Sequence, residues 1–183
     1  MPRMTPFATS PAALDRDAFV ARFGGVYEHS PWIAERAFDA GLTAEADTAE
    51  GLSGLLRAQL EAGGADRQMA LLRAHPDLAG KLAVADALTA DSAAEQAGAG
   101  LAACTAEEFE RFQSLNAAYR EKFGFPFIVA VAGIHRTEIL KIFVSRLGND
   151  RNTEFREALE QVHRIALLRL QAAVSLTDAS DVR

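Results

Sequence analysis

A single stretch of this 183-residue chain competes as a β-strand, Phe125-Pro126-Phe127-Ile128-Val129-Ala130-Val131-Ala132-Gly133, and it has no partner. No other run matches its β-branched and aromatic content, and a lone strand leaves its peptide groups unpaired. A sheet is thereby excluded, and the run reads as a buried extended entry into a helix. The rest of the chain is punctuated for helices. Ser30 caps one with Pro31 at its first position, Trp32, Ile33, Ala37 and Phe38 on one side, and Gly41 as its stop. Asp66 caps a short helix through Arg73, and Pro76 drives His75 out of the helical region. Thr105 and Glu108 form a capping box ahead of Phe109, Phe112, Asn116, Tyr119 and Phe123, and Gly124 ends that helix. Thr137 to Leu147 reads as a helix closed by Gly148, and Thr153 opens the longest one, through about Val174. The expected fold class is all-α, a single-domain compact helical bundle over residues 1–183 with 1–12 and 176–183 as loose termini.

Composition narrows the function classes. With 49% hydrophobic and 24% charged residues the chain suits a compact domain and is too apolar for disorder. A net charge of -6 and a pI near 5.2 disfavour a grip on phosphate backbones, so no nucleic-acid partner is expected. The longest apolar run, Pro126 to Ile134, falls well short of the roughly 20 residues that a membrane helix needs. The one cysteine, Cys104, cannot close an internal disulfide, and Met1 to Pro11 lacks an apolar signal core. Ser180-Asp181-Val182-Arg183 matches no retention address, so the cytoplasm is the expected location. Cys104 itself, among Ala and Leu, reads as a small buried hydrophobe. His29, His75, His135 and His163 include no pair at helical ligand spacing, so no metal is expected. Without a phosphate-cradling loop or a dinucleotide fingerprint, phosphoryl and hydride transfer drop out.

Three features can carry chemistry. His75 sits on a Pro-stiffened corner after a helix, where rigid placement suits an acid or base, although a surface histidine before a turn has the same signature. Ser92 and Glu95 read as a capping box, which leaves Gln96 unexplained. Together the three supply a hydroxyl, a carboxylate and an amide able to read a small polar ring. On the last helix Phe155, Ala158, Leu159, Val162, Ile165, Ala166, Leu170 and Ala173 share one face. Arg169 falls within about 20° of its centre, whereas Arg164 lies on the far side with Glu157, Glu160 and Gln171. A guanidinium on an apolar face must be paired, for instance with Glu95, or must serve a polar ligand.

Taken in order, these segments resemble the family of OHCU decarboxylases, which act on 2-oxo-4-hydroxy-4-carboxy-5-ureidoimidazoline in urate breakdown. The resemblance runs from about Phe19 to Leu170. It rests on Glu28-His29-Ser30-Pro31-Trp32, His75-Pro76-Asp77-Leu78-Ala79-Gly80-Lys81 and Ser92-Ala93-Ala94-Glu95-Gln96 with Gly100-Leu101. It continues through Asn116, Tyr119, Phe123 to Ile128, Arg146-Leu147, Asn149 and Glu154. The resemblance implies that His75 is the catalytic histidine, Glu95 its acidic partner and Arg169 the ligand-binding arginine. It further implies that Ser92 and Gln96 line the site, that the backbone of Phe125, Phe127, Ile128 and Val129 lies along the bound ring, and that Pro76 packs against it. The implied protein is a cofactor-independent, metal-free homodimer that converts this small molecule to (S)-allantoin. Two other readings stand beside it: a non-catalytic helical interaction module, which should expose an apolar patch, and a hydrolase or lyase acting on a related ureide.

Overall fold

The computed structural model describes residues 6–79 and 89–180. Among them are eight α-helices: α1 Arg16–Phe23, α2 Trp32–Asp39, α3 Ala49–Glu61, α4 Ala65–Ala74, α5 Ala90–Gly98, α6 Ala106–Phe123, α7 Arg136–Leu147 and α8 Arg151–Ser180. No strand forms among the described residues beyond an isolated bridge between Pro6 and Thr48.

The helix starts follow local hydrogen-bond competition. At α6 the expected capping box is present: Glu108 N–H donates to Thr105 Oγ1 at 3.1 Å, and Thr105 N–H donates to Glu108 Oε2 at 3.0 Å. Gly124, at φ +80°, closes α6 in the left-handed conformation that glycine adopts at little cost. Other starts differ from expectation. α2 begins without a side-chain cap, Ile33 N–H donating instead to the Ser30 carbonyl at 3.2 Å. Asp66 lies inside the first turn of α4, where its charge complements the helix dipole rather than capping. The cap of α5 is Thr89, whose Oγ1 accepts from Ser92 N–H at 3.2 Å. Ser92 and Glu95 are therefore interior helical residues and not a capping box. His135 caps α7, which begins at Arg136, one residue ahead of the expected Thr137. Asp150 opens α8, its carboxylate accepting from Asn152 N–H at 2.9 Å, Thr153 N–H at 3.0 Å and the Thr153 hydroxyl at 2.6 Å. A full negative charge at a helix N-terminus outcompetes the neutral hydroxyl of Thr153. The same bonds hold the Asp150 carboxyl below its ordinary value.

The described chain divides into two compact units, residues 1–71 with 163–183 and residues 72–162. In the first, Phe19, Phe23, Tyr27, Ile33, Leu52, Leu56, Leu60 and Leu170 are buried. Phe7 joins them, its ring edge-on to Phe23 at 5.5 Å and its N–H donating to the Asp47 carbonyl at 2.8 Å. Phe7 thus lies buried within the stretch 1–12, and α8 runs to Ser180.

The second unit is built on aromatic rings. Tyr119 lies 4.6 Å from Phe123, 5.8 Å from Phe125, 5.4 Å from Phe127 and 5.6 Å from Phe143, and Phe127 stacks on Phe143 at 3.8 Å. The extended segment after Gly124 is buried, as expected, and side chains replace its missing strand partner. Arg146 Nη1 donates to the Ile128 carbonyl at 2.7 Å, and Ala130 N–H donates to Gln161 Oε1 at 3.0 Å. Arg146 stacks on the Phe127 ring at 4.6 Å and pairs with the fully buried Glu154 at 2.6 Å. Asn149 Nδ2 at 2.8 Å and the Tyr119 hydroxyl donate to the same carboxylate. Burial, reinforced by the hydrogen bond to Glu154, pushes the Tyr119 phenol far up and keeps it a donor.

Candidate active site

The His75 corner belongs to the second unit. α4 ends at Ala74, and His75 N–H still donates to the Leu72 carbonyl at 3.3 Å. Pro76 has no N–H to continue the ladder and fixes the backbone angle there. The His75 side chain is buried and Pro76 is half-buried. Asp77, Leu78 and Ala79 then form a turn whose last described residue, Ala79, has φ +46°. Gly80 and Lys81 of the motif lie outside the described residues. Among the described residues, the non-glycine positions with positive φ are Ala79 and His29, one in each of two motifs singled out from sequence. Such conformations are unfavourable for side-chain-bearing residues and persist where surrounding contacts over-determine them.

Side chains from two helices hold this turn. From α5, Gln96 Oε1 accepts from Ala79 N–H at 3.2 Å and Gln96 Nε2 approaches the Asp77 carbonyl at 3.5 Å. From α6, Gln113 Nε2 donates to the Ala79 carbonyl at 2.8 Å, Asn116 Nδ2 to the Leu78 carbonyl at 2.9 Å, and Arg120 Nε to Asp77 Oδ1 at 2.9 Å. The amide of Gln96, expected to read a ligand ring, thus has both ends on the backbone beside the His75 corner. Ser92 is buried and Glu95 half-buried on the same helix. With Thr89 as the cap, their hydroxyl and carboxylate lose the local explanation that the sequence offered.

The extended segment is joined to the same corner. Arg73 Nε, two residues before His75, donates to the Gly124 carbonyl at 3.0 Å. Phe125, Phe127, Ile128 and Val129 beyond it are buried. These contacts tie the turn after His75 to Gln96 of α5, and the helix end before it to the Gly124 carbonyl ahead of the Phe125 run.

Arg169 lies in the other unit. On α8, Ala158, Leu159, Val162, Ala166 and Leu170 of the expected apolar face are buried, Phe155, Ile165 and Ala173 are half-buried, and Arg164 is exposed. The Arg169 side chain is 9% exposed, and it donates to the Val26 carbonyl at 3.3 Å and to Glu28 Oε2 at 3.5 Å. The carboxylate found at this guanidinium belongs to the Glu28-to-Trp32 motif, where Glu95 had been the sequence's example. Beside it Tyr27 OH and His163 Nδ1 are 2.7 Å apart, and His163 Nε2 lies 3.2 Å from Glu61 Oε1.

The sequence reading missed Gln113 and Arg120, and it placed Asn116 on a helix face without a role. Their spacing of three and four is the signal that puts all three polar groups on one side of α6. Among the described residues no cluster of His, Cys, Asp and Glu is arranged to hold a metal. Burial, with Glu108 adding to it, pushes the Cys104 thiol up, away from a nucleophilic thiolate. No helix among the described residues is long and apolar enough to cross a membrane. Val144 is the large hydrophobic residue exposed among them.

A sequence model of the family described as OHCU decarboxylase matches residues 12–171. A protein named 2-oxo-4-hydroxy-4-carboxy-5-ureidoimidazoline decarboxylase from Haloferax volcanii is 43% identical over 157 residues, covering 86% of this chain and 89% of that protein. The uric acid degradation bifunctional protein of Bacillus subtilis is 38% identical, covering 86% of this chain and 30% of its own length. A crystal structure described as (S)-allantoin synthase superposes with a TM-score of 0.70 at 32% identity, over 90% of this chain. This chain spans about half of that one, 52%.

Proposed function

Because this chain belongs to the OHCU decarboxylase family, matched from residue 12 to residue 171, we propose that it is a carboxy-lyase converting 2-oxo-4-hydroxy-4-carboxy-5-ureidoimidazoline to (S)-allantoin in urate degradation. The observation that carries the reading is this match through most of the chain, with the His75 corner held in place inside it. Decarboxylation needs a place for the electrons of the breaking bond, and many enzymes bring a cofactor for that. This substrate has its own: the carbon bearing hydroxyl and carboxylate adjoins a ring C=N bond. As the bond to the carboxylate breaks, its electron pair forms a C=C bond to the neighbouring ring carbon, and the C=N pair moves to nitrogen, which takes a proton. The resulting enol becomes the allantoin carbonyl when its hydroxyl proton leaves and the neighbouring carbon is protonated.

In this mechanism His75 exchanges the proton of the substrate hydroxyl. Glu95 orients His75 and sets negative charge beside the substrate carboxylate, a repulsion relieved as CO2 departs. Arg169 anchors an oxygen of the ligand. Ser92, Pro76 and the backbone along Phe125, Phe127, Ile128 and Val129 bind and orient the ring, with Gln96 beside them. No cofactor or metal enters. The same reading makes the protein a cytoplasmic homodimer without nucleic-acid or membrane partners, supported by the family resemblance, the single cysteine and the net charge of -6.

The test is an assay on freshly generated substrate, following CO2 release and the circular dichroism of the product. Enantiomerically pure (S)-allantoin, formed well above the spontaneous rate and equally fast after exhaustive chelation, is the expected result. No acceleration over the spontaneous reaction would overturn the reading, and loss on chelation with recovery on adding a divalent metal would overturn the cofactor-free mechanism.

A further inference from the structure

We infer that Asn116, flanked by Gln113 and Arg120, is a positioning residue for His75, acting through the turn Asp77-Leu78-Ala79; the inference rests on the decarboxylase reading above. Three donors spaced at 113, 116 and 120 meet three consecutive residues in reverse order, Ala79, Leu78 and Asp77. The turn therefore runs antiparallel to α6 and is held at every residue, with Gln96 of α5 closing it from another helix. Between this clamp, which begins at Asp77, and the His75 N–H that donates to the Leu72 carbonyl at 3.3 Å, Pro76 alone intervenes along the chain. Proline's fixed backbone angle leaves little slack in that link, so a displaced turn displaces the imidazole.

Two local costs gather at this contact. Ala79 is held at φ +46°, and Asn116 Oδ1 is buried with no hydrogen-bond partner among the described residues while its amide nitrogen serves Leu78. A purely structural junction is relieved of such costs by simple substitutions, whereas a group that must keep an acid or base in place retains them. A misplacement of about 1 Å at a reacting group costs on the order of a hundredfold in rate, so the clamp has a function to defend.

The experiment is a double-mutant cycle between Asn116→Ala and His75→Asn, with kcat and KM measured per folded molecule on freshly generated substrate. If Asn116 acts through His75, Asn116→Ala lowers kcat about ten- to a hundredfold in the parent, with KM changed less than about threefold. In the His75→Asn background the same substitution lowers it less than about twofold. Equal losses in both backgrounds, a loss confined to melting temperature, or a change confined to KM would overturn the inference while leaving the decarboxylase reading intact. A parent that fails to accelerate the reaction would instead remove that reading, and this inference with it. Should Asn116→Ala not fold, the half-buried Gln113→Ala replaces it in the cycle, with a kcat loss of about three- to tenfold expected and the same coupling to His75. Arg111→Ala, on the far and exposed side of α6, is the control expected to leave kcat unchanged.

Discussion

Glu154 has no exposed surface, and four donors converge on its carboxylate: the Tyr119 hydroxyl, Arg146 Nε and Nη2, and Asn149 Nδ2. Removing one partner of a buried ion pair strands the other charge, so Glu154→Ala should cost about 3–5 kcal/mol in chemical denaturation. A loss below about 1 kcal/mol would mean that water reaches Arg146 and that the pair does not hold the Ile128 carbonyl in place. At this scale the sequence was only partly legible. The apolar face of α8 put Arg169 on the buried side and Arg164 on the exposed one, because periodicity reports direction within a single helix. It could not report that the carboxylate at Arg169 is Glu28, 141 residues away, since nothing local encodes a long-range pairing. For Gln96, likewise, the sequence could not report that its amide meets the Asp77 and Ala79 backbone, 19 and 17 residues away.

Helices α2 and α4 to α8 were legible as elements and their starts less so, whereas α1 and α3 carry no punctuation that the sequence analysis picked out. Thr105 with Glu108 was read correctly because the box is reciprocal, two bonds between two residues. Ser92 with Glu95 has the same spacing and failed, because Thr89 three residues earlier takes Ser92 N–H first. Thr153 failed because Asp150 offers a charge where Thr153 offers a hydroxyl. The extended run from Phe125 was read as unpartnered and buried, and Arg146 and Gln161 show how its peptide groups are satisfied without a sheet. The cap of α8 carries a pH prediction. The Asp150 carboxyl titrates below its ordinary value, chiefly through its hydrogen bonds with Thr153. A carboxyl with a depressed folded-state pKa stabilises above its unfolded pKa of about 3.9 and loses that contribution as pH falls through the folded value. Asp150→Ala should therefore melt lower than the parent at neutral pH, and the gap should narrow once pH drops below about 4. A gap that stays constant from pH 7 to pH 2 would contradict the assignment of this carboxylate as the cap.

Over the whole molecule, the family match from residue 12 to residue 171 and the residues of the second unit point to one chemistry. A buried histidine sits on a corner between α4 and a turn held by Gln96, Gln113, Asn116 and Arg120, in a chain with no sheet and no metal cluster among its described residues. The missing phosphate-cradling and dinucleotide motifs spoke against phosphoryl and hydride transfer, and only the ordered motifs named a chemistry, because composition limits chemistry without choosing a substrate. The central claim is that the His75 imidazole moves a proton in the decarboxylation. Turnover of His75→Asn against the parent, per folded molecule on freshly generated substrate, tests it most directly, since Asn can hydrogen-bond but cannot titrate near neutral pH. The account predicts a loss of about two to four powers of ten with the melting temperature little changed. A variant within threefold of the parent's turnover, with the loss appearing in stability instead, would contradict it.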